Sequence, residues 1–199
     1  LIGGGQKAKP GEVSLAHRGV LFLDELPEFS RGSLEALRQP LETGKAVVAR
    51  VNHHATYPAD FQLIAAMNPC RCGYLGDPDS ECTKAPRCGS DYQNKLSGPL
   101  LDRIDIQIEM PPVVVSDLSQ SGGETSEAVA KRIQQTRCIQ EERFKEAEGG
   151  LITVNAQANG DLLEQTMAMQ ESAKVLLTGY AEKMKLSARS YYRLIRVAR

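Results

Sequence analysis

No charge of one sign dominates this 199-residue chain: 24 Lys and Arg stand against 25 Asp and Glu, for a formal net charge of −1. That excludes a global basic field, so any nucleic acid must be held by local patches. No apolar run approaches the roughly twenty residues of a membrane-spanning helix, so no membrane partner is expected. The phosphate-loop pattern Gly-x-x-x-x-Gly-Lys-Ser/Thr occurs nowhere; Gly3-Gly4-Gly5-Gln6-Lys7 does not fit it and follows no strand. No internal repeat is visible. Cysteine is sparse outside one cluster: of five, four lie between Cys70 and Cys88, and Cys138 stands apart. An odd count with one tight cluster argues against a disulfide framework and for a reducing, cytoplasmic setting with a metal site. The chain starts at Leu1, as expected of a piece excised from a longer protein, and shows no signal peptide. Its length suits one large or two small domains, and 41% hydrophobic with 25% charged residues is ordinary for a globular protein.

What is present begins with Val20-Leu21-Phe22-Leu23-Asp24-Glu25. Four apolar residues in a row are expected to form a strand buried on both faces of a parallel sheet. Two carboxylates then emerge at its C-terminal edge, where open α/β sheets bind ligands. Adjacent acids there suit Mg²⁺-nucleotide hydrolysis: Asp24 to hold the metal, Glu25 to orient or deprotonate water. The same pattern also describes an ordinary strand ending at the surface.

Ser30 is an expected N-cap for a helix carrying Leu34, Leu37 and Leu41, with Pro40 near its end. Ala46–Val51 and Ala55–Pro58 flank a polar tip in hairpin fashion. Phe61–Ala66 is a second buried-strand candidate, and residues 70–92 read as a loop rich in cysteine and glycine. A short helix is expected over Leu96–Leu101, and a period-2 strand over Ile104–Met110. Ser and Gly over residues 113–126 mark a linker. Helix-favouring segments follow at Glu127–Ala147, Gln170–Lys185 and Ser187–Arg199. The expected organisation is an α/β part, 1–112, and an all-helical part, 127–199.

Several constellations carry chemistry. Asn68, at the tip of the second strand, can orient water beside a phosphate or can simply serve an Asn-Pro turn. Arg103, flanked by Asp102 and Asp105, fits a surface ion pair or a fixed cation aimed at a neighbouring subunit's phosphates. Arg189, Arg193 and Arg196 share one helix face; Arg193 and Arg196 suit a solvated face, and Arg189 is placed to reach a phosphate. Cys70, Cys72, Cys82 and Cys88 can give four thiolates to one Zn²⁺. Arg50, Asn52, His53 and His54 at the hairpin tip suit either a nucleic-acid contact or a plain polar turn. Cys138 is expected at a core boundary, and His17 in a structural role.

The order of these pieces is itself informative. Gly11–Gly19 runs into Val20–Leu26; then come Leu37-Arg38-Gln39-Pro40-Leu41-Glu42, Tyr57-Pro58-Ala59, Ala65–Cys70, Cys72-Gly73-Tyr74 and Leu96–Asp105. Together they resemble the magnesium-chelatase-like AAA+ ATPases of the ComM/YifB competence family, over nearly the whole chain. The resemblance implies a partial AAA+ core followed by a helical lid. It implies that Asp24 and Glu25 are Walker B, Asn68 sensor 1, Arg103 the arginine finger and Arg189 sensor 2. Residues 44–58 become the pre-sensor-1 hairpin that faces the channel of a ring. It further implies ATP and Mg²⁺ as cofactors, a hexameric homo-oligomer, single-stranded or branched DNA as partner, and branch migration of recombining DNA in natural transformation. In the family the phosphate loop lies upstream, so the chain alone is expected to be inactive. The alternatives are a motor subunit of magnesium chelatase and a zinc-stapled binding module without ATPase activity.

Overall fold

A computed structural model describes residues 1–5, 7–50, 53–76, 82–111, 123–145, 152–166 and 169–198. Of Arg50 and His53 it describes the backbone, and Asn52 lies outside the described residues. The chain divides into two compact units, Leu1–Pro112 and Val113–Arg199.

The first unit opens with two short paired strands, β1 (Gly3–Gly4) and β2 (Lys9–Pro10), and a helical turn, α1 (Glu12–Leu15). Strand β3 (Val20–Leu23) follows, then α2 (Arg31–Ala36), α3 (Arg38–Thr43), the hairpin strands β4 (Lys45–Arg50) and β5 (His53–Pro58), and β6 (Gln62–Ala65). β3 and β6 pair in parallel, Leu21 opposite Leu63 and Leu23 opposite Ala65. β4 and β5 pair antiparallel, Lys45 opposite Pro58 and Arg50 opposite His53. The architecture is thus mixed α/β with a small parallel sheet.

Sequence explains much of this locally. Ser30 caps α2, its hydroxyl accepting from the Ser33 N–H at 3.2 Å. The single helix expected over residues 31–41 is instead two, and Pro40 is the reason. It cannot donate to the carbonyl four residues back, and its ring crowds that turn, so the axis breaks at Leu37 and Pro40 sits in the third position of α3. Gly44 ends α3 in the left-handed region, φ 64°, with its N–H on the Pro40 carbonyl at 2.8 Å. A glycine takes that conformation without the steric penalty a side chain meets. The chain then turns directly into β4.

The core gathers Val13, Leu21, Leu23, Leu26, Leu34, Leu37, Ala46, Ala59, Leu96 and Leu100. It lies on one face of the parallel pair only. Leu21 and Leu23 are buried, whereas Val20 and Phe22 are 54% and 59% exposed and Ile64 is 43% exposed. Burial of β3 and β6 on both faces is therefore corrected. Among the described residues nothing covers the second face, so the apolar run reflects a composition suited to a layer that this part of the chain does not supply. Ile104–Met110 forms no strand either, and Ile106, Ile108 and Met110 are exposed. Alternation favours an extended backbone, but a strand persists only when a neighbour takes up its hydrogen bonds. The Cys-rich segment ends in a helix, α4 (Arg87–Gln93), that its composition concealed, and α5 (Gly98–Leu101) follows behind a Ser97 cap.

The second unit is helical: α6 (Ser126–Phe144), α7 (Gly160–Thr166), α8 (Glu171–Met184) and α9 (Ala188–Ala198). Thr125, Gln170 and Ser187 stand at the N-terminal ends of α6, α8 and α9; Thr125 and Ser187 cap through their hydroxyls. Phe144, Ile152, Ala158, Leu163 and Ile195 form its core. Cys138 is exposed on α6, not at a core boundary. Arg196 is corrected too. It is half-buried, its Nε donating to the Ala158 carbonyl at 2.9 Å and its Nη2 to Asn159 Oδ1 at 2.5 Å. Buried Asn155 closes the same network. Its Oδ1 accepts from Arg143 at 2.8 Å, its N–H donates to Gln140 Oε1 at 3.1 Å, and its Nδ2 donates to the Arg196 carbonyl at 3.4 Å.

Candidate functional site

Parallel pairing decides where the acids fall. β3 and β6 end on the same side, so Asp24 and Glu25, directly after β3, share an edge with the segment that runs from Ala66 to Asn68. Two backbone hydrogen bonds fix this edge. The Ala66 N–H donates to the Leu23 carbonyl at 3.0 Å and the Leu26 N–H to the Ala66 carbonyl at 3.0 Å. Between them the chain turns sharply. Glu25 adopts the left-handed conformation, φ 49° and ψ 47°, which costs a residue with a side chain roughly 1–2 kcal/mol. Its own N–H donates to Asp24 Oδ1 at 2.8 Å, which orients that carboxylate. Asp24, Glu25 and Asn68 are all solvent-exposed. Two carboxylates and an amide are thereby gathered at one open strand edge, a donor set that suits a hydrated divalent cation and a phosphate.

Beneath the turn lies α4, in a segment whose composition suggests a loop. Tyr92 is buried there. Burial, followed by the carboxylates of Glu28 and Glu25, pushes its phenol above the ordinary range. Lys95 reaches Glu28 at 3.5 Å and lies 5.3 Å from the centre of the Tyr92 ring. Gln93 Nε2 donates to the Pro69 carbonyl at 2.9 Å, next to Asn68. Tyr92, Gln93 and Lys95 support the acidic edge from below. The Tyr-Gln-x-Lys spacing of residues 92–95 is the available signal, hidden beside cysteines, glycines and prolines.

The four cysteines do converge. The acceptor atoms of Cys70, Cys72, Cys82 and Cys88 lie within 4.8 Å of one another, and all are free thiols. Cys70 and Cys82 are buried. Burial pushes the Cys70 thiol up, but hydrogen bonds from Cys72 and from the N–H groups of Leu75, Cys72 and Gly73 outweigh it and bring it down to about 7. Cys72 moves the opposite way, to about 11. The Tyr74 N–H lowers it, but its contacts with Cys70 and Cys82, burial and Cys88 prevail. Cys70 is the first of the pair to ionise.

Arg103 lies just beyond α5 and is folded inward. Its side chain is 11% exposed, it forms an ion pair with Glu42, and its Nη1 donates to the Pro99 carbonyl at 2.5 Å. The hairpin places the backbones of Arg50 and His53 opposite each other at the last described rung, with His54 exposed opposite Ala49. His17 accepts from the Asp60 N–H at Nδ1, 3.2 Å away, in keeping with a structural role. Arg189 is exposed in the first turn of α9, in the other unit.

Comparison with known proteins covers both units. A family model described as magnesium chelatase, subunit ChlI, matches residues 1–118, and one described as magnesium chelatase, subunit ChlI C-terminal, matches residues 123–199. Over its full length the chain is 42% identical to Competence protein ComM of Haemophilus influenzae and 40% identical to Uncharacterized protein YifB of Escherichia coli, spanning 38% of each. It is 41% identical, again over its full length, to Uncharacterized protein Rv2897c of Mycobacterium tuberculosis, spanning 39% of it.

Proposed function

This chain belongs to the magnesium chelatase family of AAA+ ATPases, and we propose that it carries the hydrolytic half of a motor that uses ATP to remodel DNA. The observation that carries the reading is the parallel β3–β6 pair, which sets Asp24, Glu25 and Asn68 along one edge. Asp24, already oriented by the Glu25 N–H, holds Mg²⁺. Glu25 takes a proton from the attacking water, and Asn68 fixes that water or the γ-phosphate. Arg103 serves the neighbouring subunit's nucleotide, and Arg189 meets phosphate from the helical unit. A hexameric ring supplies the neighbour. Likeness to a competence protein supports branched or single-stranded DNA as the substrate, driven through branch migration.

ATP and Mg²⁺ supply the phosphoryl chemistry; this chain's own residues orient and deprotonate. No phosphate loop occurs in the sequence, so the backbone cradle for the β- and γ-phosphates is absent from these 199 residues. The chain by itself is expected to turn over no ATP. A phosphate-release assay on it is the check, and sustained turnover above a Glu25→Gln control would overturn that expectation of inactivity.

The β4–β5 hairpin is the proposed DNA contact. Replacing Arg50, His53 and His54 together by Ala in the full-length protein should weaken DNA binding, and the slope of log affinity against log salt should fall by about 1 for the lost arginine–phosphate contact. An unchanged slope measured by fluorescence anisotropy would remove the hairpin from the interface. The family description favours one other reading, a chelatase motor. Branched DNA separates the two, because only a DNA motor should hydrolyse ATP faster in its presence.

A further inference from the structure

We propose that Cys70, Cys72, Cys82 and Cys88 bind one Zn²⁺ as a closed, structural tetrathiolate site that clamps the end of the Asn68 segment to helix α4. The proposal is independent of the DNA reading above.

Geometry comes first. A tetrahedral zinc with Zn–S bonds of about 2.3 Å sets its sulfurs about 3.8 Å apart. Here Cys70 Sγ stands 3.2 Å from Cys72 Sγ, and Cys72 Sγ 3.4 Å from Cys82 Sγ, with all four inside 4.8 Å. A shift of a few tenths of an ångström opens that cluster to a metal. Without one, four thiols crowd within 4.8 Å of one another.

The second observation is the turn at Cys70–Gly76. Gly73 and Gly76 both lie in the left-handed region, φ 85° and 83°, so the backbone curls around the first two sulfurs. The N–H groups of Leu75 and Gly73 thereby point at Cys70 and that of Tyr74 at Cys72. Hydrogen bonds from amides to sulfur stabilise the thiolate form that a metal requires.

The third is charge. Zn²⁺ with four thiolates carries a net charge of about −2. Arg71, Lys84 and Arg87 line the cavity beside Cys88 together with a single carboxylate, Asp91, so the lining is positive on balance and offsets it.

The consequence is mechanical. Cys70 follows Asn68 by two positions, and Cys88 lies in the first turn of α4. A Cβ at Gly89 would stand 2.4 Å from Leu75 Cδ2, so the Leu75 side chain would have to move to admit one; the cysteine turn packs closely on α4. The same helix carries Tyr92 and Gln93 beneath the acidic edge. The metal therefore sits outside the hydrolytic centre and positions it. With all four ligands supplied by protein, no coordination position is open for catalysis.

The test is elemental analysis of the chain purified without chelator. About one zinc per chain is expected. Cys82→Ser should lose most of it, and Cys138→Ser should keep it. Because a cysteine variant can fail to fold, unaltered protein loaded with Co²⁺ gives a second readout, the intense thiolate-to-cobalt charge transfer of a tetrahedral sulfur site. Removing the metal with chelator should also lower the unfolding temperature. Zinc-free protein with no cobalt–thiolate band would overturn the proposal. So would iron as the only bound metal, or zinc content unaffected in a folded Cys82→Ser chain.

Discussion

Glu25→Gln in the full-length protein is expected to reduce ATP turnover by roughly 10²–10⁴-fold, the usual contribution of a positioned general base, while ATP stays bound. The amide keeps the size and reach of the carboxylate but cannot accept the water proton. Asp24 keeps its oxygen for Mg²⁺, because the hydrogen bond that orients it comes from the backbone N–H of residue 25, not from its side chain. The left-handed backbone at Glu25 makes the choice of replacement important. Gln leaves the strain unchanged, whereas Gly relieves it and alters the turn, so only Gln isolates the proton transfer. Single-turnover hydrolysis alongside nucleotide retention on a filter reads both halves. Loss of ATP binding together with loss of turnover would show that Glu25 holds the fold of the edge and is not the base.

Arg103→Ala is expected to lower turnover in the assembled ring by about 10³–10⁵-fold, the range for a supplied arginine in phosphoryl transfer, with nucleotide affinity retained. In the structure Arg103 bonds within its own chain, to Glu42 and the Pro99 carbonyl. Glu42 is the more open partner, 45% exposed against 11% for Arg103, so water reaches the pair from the carboxylate side, where the guanidinium would exchange Glu42 for a neighbour's phosphate. Glu42→Ala is the discriminating companion. A finger survives loss of its resting partner; a purely structural arginine does not. Equal loss of turnover in Arg103→Ala and Glu42→Ala would therefore assign Arg103 to the fold. Mixed rings offer a further reading, since a finger mutant should impair the adjacent site and spare its own.

Local chemistry was legible in the sequence where it acts over short distances. Ser30 and Ser187 announce helix starts because a hydroxyl can satisfy an N–H two or three residues on. The hairpin over residues 45–58 was visible through its β-rich flanks and polar tip, and the cysteine cluster through simple spacing. What failed depended on partners. Val20 and Phe22 look like core residues, yet burial belongs to a layer, not to a residue. Ile104–Met110 alternates as a strand should and still finds no neighbour. Helix α4 was masked by a composition that serves the cysteine turn, so Tyr92 and Gln93 went unnoticed as supports of the acidic edge. Arg196 looked like a solvated charge because sequence does not reveal that Ala158 and Asn159 offer it oxygens. The placement of Asp24 beside the Asn68 segment follows from the parallel pairing of β3 and β6, which the two apolar runs and the family resemblance already imply.

That pairing has a kinetic side. β3 and β6 are neighbours in space but not in sequence, and α2, α3 and the β4–β5 hairpin are threaded between them. The hairpin joins residues close in the chain and can close on the microsecond scale. Once closed, it shortens the loop whose ends the two parallel strands must bring together, which lowers the entropy lost in that step. The element proposed to grip DNA thus also lowers the entropic cost of bringing the acids and the asparagine together.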